Sequence, residues 1–159
     1  MIDYVYDDGG RADAGYKGQT SDCVTRAIAI ATEMPYQSVY DALYGLIREP
    51  TGANSPATIR KLKNSSPRTG VFRRTYDQFL KDIGWTWVPT MEIGSGCRVH
   101  LREDELPSGK LICKVSKHLV AVIDGVIHDT HDCSRDGTRC VYGYFYDRNE
   151  PGRILGDAG

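Results

Sequence analysis

The chain is short of several things, and each shortage closes a class of function. Its 159 residues carry 20 Lys and Arg against 21 Asp and Glu, a formal net charge of -1. That balance argues against broad electrostatic binding to nucleic acid. No apolar run approaches the ~20 residues needed to cross a bilayer. The opening MIDYVYDDGGRADAG is acidic and has no apolar centre, so it does not read as a secretion signal. The five cysteines, Cys23, Cys97, Cys113, Cys133 and Cys140, are odd in number and irregularly spaced. Without a signal they are expected as reduced thiols in the cytoplasm. The length fits one domain, and 40% hydrophobic residues suffice for its core.

What is present is concentrated in SDCVTRAIAIAT, Ser21 to Thr32. Ser21 or Asp22 is placed to cap a helix, since a short side-chain oxygen satisfies orphan backbone N–H groups. Val24, Ala27, Ile28 and Ala31 fall at helical spacing, and Ala29 and Ile30 make the helix apolar nearly all round. Cys23 therefore heads a buried helix, where the positive end of the macrodipole favours thiolate. Gln19, four residues upstream, offers an amide to an oxyanion.

The order of periodicities gives the fold class. Residues 1–20 form a glycine-containing lead-in, for which a strand ending at Tyr6 is one option. Residues 21–84 are mainly helical. PYQSVYDALYGLIRE has Val39, Ala42, Leu43, Leu46 and Ile47 on one face and ends at Pro50 and Gly52. A short basic helix lies between Pro56 and Asn64, and its charges read as a solvated face. RTYDQFLKDIG is a further helix, with Thr75 as cap and Gly84 as stop. Residues 85–146 have strand period, and 147–159 form a tail. Trp85 and Trp87 share one face of the strand WTWVP, as core or as the lining of a substrate groove. KLICKVS, HLVAVI and VIHDT follow, then RCVYGYFY (139–146). The expectation is an α+β domain, with N-terminal helices, the Cys23 helix first, packed on a C-terminal antiparallel sheet.

Register gives the strongest chemical argument. Asp124-Gly125 between apolar runs marks a two-residue hairpin turn. That turn sets Ala121 opposite His128 and Val122 opposite Ile127. Side chains of opposed residues share a face, and the face alternates along the strand. His118, Val120 and Val122 then share a face with Ile127, Asp129 and His131, and His128 points away. Asp129 is a diagonal neighbour of His118, able to hold one ring nitrogen and leave the other for Cys23. A slip of one residue would break the arrangement.

Gln19, the helix start Asp22-Cys23-x-x-Arg26-Ala27, and a later His118 strand with Asp129 resemble the papain-like superfamily of cysteine peptidases. The Asp-Cys-x-x-Arg-Ala start is similar to the nucleophile helix of ovarian-tumour-type deubiquitinases and bacteriocin-leader-type peptidases. LPSGKLICKVSKHLVAVIDGVIHDTHD is similar to segments of small bacterial and bacteriophage proteins. The two patches cover about a quarter of the chain. The resemblance implies the fold, Cys23, His118 and Asp129 as triad, Gln19 as oxyanion donor, a protein or peptide substrate and no cofactor. Asp22 and Asp132 stay open as alternatives for the third member. Other readings also remain. One is a non-catalytic binding or phage structural protein on the same fold, and another is a deamidase or acyltransferase using the same triad. A third is structural metal on His128, His131, Cys133 and Cys140, which their spacing and the opposed faces of His128 and His131 disfavour. No metal site is expected. A Cys133–Cys140 bridge fits the turn between them but not a reducing compartment.

Overall fold

In the computed structural model, which describes residues 2–17, 21–50, 55–92 and 94–150, the apolar stretch after Cys23 becomes α1 (Cys23–Thr32). Every residue from Val24 to Ala31 is buried, because α1 lies between the sheet and the next helix. Burying Thr25 is made tolerable by its hydroxyl, which donates to the Pro67 carbonyl at 2.7 Å. Helix α2 (Tyr36–Arg48) buries Val39, Leu43 and Ile47, one ridge at a spacing of four. Helix α3 (Pro56–Lys63) starts with Pro56 in its first turn and Ser55 as cap, whose hydroxyl accepts the Thr58 N–H at 3.1 Å. Helix α4 (Arg73–Asp82) begins before the expected cap. Phe72 occupies the cap position, and Thr75 is buried inside the first turn. Gly84 ends the segment with a φ of 88°, as expected of a glycine stop.

The strands are β1 (Asp3–Tyr6), β2 (Trp85–Pro89), β3 (Lys110–Val115), β4 (His118–Ile123), β5 (Val126–Asp129) and β6 (Gly143–Asp147). They form one sheet in the order β1-β5-β4-β3-β6-β2. All pairs are antiparallel except β1 with β5, which are parallel. The expected antiparallel sheet is thus a mixed one. The lead-in supplies its edge strand, whose own residues are all exposed, so backbone pairing and the buried Ile2 just before it hold it there.

Both faces of the central strands are covered. Ile112, Leu119, Ala121 and Phe145 meet α1 and α4 on one side. Leu111, Cys113, Val115, Val120, Val122 and Ile127 meet Leu101, Leu106, Cys133 and Val141 from the long loops on the other. That double burial is why KLICKV and HLVAVI read as nearly continuous apolar runs. The hairpin register is the expected one, Ala121 with His128 and Val122 with Ile127. Its turn has φ of 48° at Asp124 and 75° at Gly125, the signature of a type I′ turn.

Strand β6 starts later than the expected 139–146. Residues before it pair elsewhere: Leu101 N–H donates to Arg139 O and Val141 N–H to Val99 O, each at 2.8 Å. This places Cys97 and Cys140 with their Cα atoms 5.8 Å apart, and they form a disulfide. The expectation of five reduced thiols is corrected accordingly. Cys23, Cys113 and Cys133 are free, and Cys133 does not pair with Cys140.

Gly143 is required where β6 passes β2. A Cβ there would lie 2.3 Å from the Trp87 ring and 2.8 Å from the Val88 carbonyl. Gly143→Ala is expected to lose about 1–3 kcal/mol of stability by overpacking. Urea unfolding checks it, and an unchanged midpoint would mean that Trp87 moves aside at no cost.

Among the described residues no helix is long and apolar enough to cross a membrane.

Candidate active site

Three elements end at one place. Cys23 is the first residue of α1, His118 the first of β4 and Asp129 the last of β5. The turn at Asp124-Gly125 dictates that His118 and Asp129 share a face, and they do meet. His118 Nε2 lies 2.6 Å from Asp129 Oδ2. The same imidazole lines one cavity with the Cys23 sulfur and acts on its ionisation, as does the Leu119 backbone N–H. With Nε2 held by the carboxylate, Nδ1 is the nitrogen left for sulfur. Cys23 is half-buried, and Asp129 is 3% exposed.

The electrostatics follow from these contacts. Burial alone would push the Cys23 thiol up, but the hydrogen bond and charge of His118, with help from Leu119 N–H and Arg26, bring it below its ordinary value. Burial likewise disfavours imidazolium. Hydrogen bonds to Asp129, Cys133 and Cys23 outweigh it and raise His118 to about 11. Asp129 is lowered despite burial, by the hydrogen bond and charge of His118, the Thr130 N–H at 2.7 Å, and Arg26. All three shifts favour one state: thiolate, imidazolium, carboxylate.

A buried network fixes Asp129 from behind. Arg26, one turn into α1, bridges the Asp22 carboxylate and Asp129 Oδ1, the latter at 3.3 Å. Tyr36 donates to Asp22 Oδ2 at 2.6 Å, and Arg11 Nε lies 3.4 Å from the same oxygen. Asp22 occupies the cap position of α1 but makes no side-chain cap bond, because Arg26 and Tyr36 hold its carboxylate. That also removes it as a partner for His118. Asp132 accepts the Ser134 N–H at 2.9 Å, so Asp129 is the carboxylate at the ring.

Sequence reasoning passed over Arg26 and Tyr36 as members of this network. The signal for Arg26 was its spacing of four from Asp22 on a helix. It weighed Cys133 as a metal ligand or a partner for Cys140, but not beside the triad, where its sulfur lies within 4.8 Å of the His118 and Asp129 donor atoms. Alternation from Asp129 through His131 to Cys133 was the clue. These three donors do not make a free cage, since His118 Nε2 and Asp129 Oδ2 are bonded to each other. The set weighed for zinc is not brought together. Cys140 is in the disulfide, and His128 lies on the other face with Asp7 at 3.6 Å. His131 rests its ring 5.4 Å from that of His118.

A cavity of about 310 Å³ opens beside Cys23 and His118, walled by Val24, Val71, Phe72, Tyr76 and Leu119. Trp85 and Trp87 do not line it. Trp85 is 7% exposed in the core, and Trp87 packs on Phe145 under the Arg73 guanidinium, 4.6 Å from its ring centre. The two tryptophans border a neighbouring cavity of about 330 Å³ that meets the first at Arg73. Gln19, expected as the oxyanion donor, lies outside the described residues. Cys23 itself stands in the first turn of α1, where backbone N–H groups have no partner within the helix. No protein-family model, curated protein or solved structure matches the chain.

Proposed function

We propose that the chain is a papain-like cysteine hydrolase that cleaves a peptide or isopeptide bond through Cys23, His118 and Asp129. One observation carries the reading. A single imidazole is held by a buried carboxylate at 2.6 Å and shares an open cavity with a sulfur at a helix head, whose ionisation it favours. The Cys23 thiolate attacks the carbonyl carbon, forming a C–S bond and an oxyanion. The helix-head N–H groups stabilise the oxyanion, with Gln19 proposed as a second donor. Collapse breaks the C–N bond, and the imidazolium proton goes to the leaving amine. Water then gives a proton to His118 and attacks the thioester, releasing the acid and the thiol. Asp129 keeps the ring aimed at sulfur and stabilises its charge throughout.

The site and its compartment are separable. A cytoplasmic glutathione pool would open the Cys97–Cys140 bridge. Neither cysteine lines the cavity.

Limited alkylation with iodoacetamide at neutral pH, read by mass spectrometry, tests the reading. Cys23 is expected to react at least about tenfold faster than Cys113 and Cys133, whose burial shields them. Burial also holds the Cys113 thiol well above its ordinary range. If Cys23 reacts no faster than the other two, the chain is not a thiol hydrolase. On peptide substrates, a shortened product marks a peptidase, and an amide converted to acid without a cut marks a deamidase.

A further inference from the structure

Apart from the Cys23 thiolate, the charged side chains that line the cavity are all cationic. Lys114 and Ile112 alternate onto the helix side of β3, and the Lys114 ammonium stands 6.0 Å from the Tyr76 ring centre. Arg73, in the first turn of α4, forms the opposite wall. Lys117, on the turn that precedes His118, is the third cation. Arg73 is paired with Asp77 at 3.2 Å. Among the described residues no carboxylate forms an ion pair with Lys114 or Lys117. Burial and the neighbouring Arg73 charge depress Lys114 below its ordinary value, and Cys23 and Asp77 oppose that shift. Cations crowded between apolar walls are poorly screened and concentrate their field in the cleft.

We infer that this cavity receives a carboxylate-bearing residue of the substrate, close to the bond that is cut. The inference rests on the hydrolase reading and names the substrate class of that same site. At about 310 Å³ the cavity sits at the small end of ligand pockets, room for one or two side chains rather than a long peptide. Its walls suit the methylenes of a glutamate, and its cations the acid. A lysine or arginine at this position would meet like charge.

A competing use of the same cations is to hold the Cys23 thiolate and nothing else, and a probe pair separates the two. Peptidyl vinyl sulfones label a thiolate by addition to the double bond, with the proton supplied by the imidazolium. Probes with glutamate or glutamine at each of the first three acyl-side residues are compared for the rate of Cys23 labelling. Glutamate is expected to win by about tenfold at one position and to lose that advantage at high salt. In Lys114→Met the glutamate probe should slow several-fold more than the glutamine probe. Lys117→Gln, at an exposed turn, gives the same comparison should Lys114→Met fail to fold. If glutamine matches glutamate at all positions while Cys23 still labels, the inference fails and the hydrolase reading stands. If Lys114→Met slows both probes equally, the cations serve the thiolate alone and the inference fails. If neither probe labels Cys23, the hydrolase reading itself falls, and this inference with it.

Discussion

His118→Ala is expected to lower the alkylation rate of Cys23 at neutral pH several-fold. The estimate follows from the share of thiolate. An unassisted cysteine is only a few per cent ionised at pH 7. In the native protein the hydrogen bond and charge of His118 overcome burial and bring Cys23 below its ordinary 9.0. Removing the ring leaves burial unopposed except by Leu119 N–H and Arg26, so the thiol rises again. The pH profile carries the sharper signature. A lowered thiol keeps its negative charge until acid takes the pH below its depressed value. The native profile should therefore lie at lower pH than that of a cysteine without the ring. The variant's rate should still be climbing at and above pH 9, the ordinary value for a thiol.

In the proposed reaction hydrolysis would add a second limb, because the leaving amine needs the imidazolium proton. His118 is raised to about 11, so that limb lies well above neutral pH. The active pair exists between the depressed thiol and the raised imidazole. Stopped alkylation from acid to alkaline pH, with intact-mass readout, measures it. Superimposable profiles for native protein and variant would mean that His118 does not act on Cys23.

The hairpin that builds this site was readable because its cause is local. Asp124-Gly125 permits two positive φ values in succession, that fixes a two-residue turn, and the turn fixes which residues share a face with His118. The helices were readable for the same reason, but not their caps: Arg26 and Tyr36 take the Asp22 carboxylate at the head of α1, and packing of Thr75 into the core displaced the expected cap of α4. What stayed hidden depends on distant pairing. Strand β1 joins β5 from the far end of the chain with no buried side chain to give it a pattern. The Cys97–Cys140 bridge spans a sequence separation of 43 and exists because residues 99–101 run beside 139–141. The Trp85–Trp87 alternation was readable too. Nothing local could say that Arg73 would cover Trp87 and that the Cys23 cavity would open on the other side of Arg73.

Arg26→Met is expected to destabilise the protein by about 3–5 kcal/mol, the largest loss anticipated for any single side chain here. Arg26 is 7% exposed and stands between two carboxylates, Asp22 at 1% and Asp129 at 3%. Removing it leaves both acids buried with the cation between them gone. Asp22 keeps the Tyr36 hydroxyl at 2.6 Å and Arg11 at 3.4 Å, which favours the lower end of the range. Asp129 keeps His118 on Oδ2 and the Thr130 N–H on Oδ1 but loses Arg26 from Oδ1, so the imidazole is aimed less firmly at Cys23. Arg26→Lys retains charge but not the fork that reaches two acids, so it should recover only part of the loss. The discriminating measurement is a double-variant cycle by urea unfolding. If the cost comes from uncompensated charge, Asp22→Asn on top of Arg26→Met should be milder than the two single losses added together. Strict additivity, or a loss under about 1 kcal/mol for Arg26→Met alone, would show that the network does not hold the head of α1 against β5. In that case the precise placement of Asp129 behind His118 would have to come from the strand pairing of β4 with β5 alone.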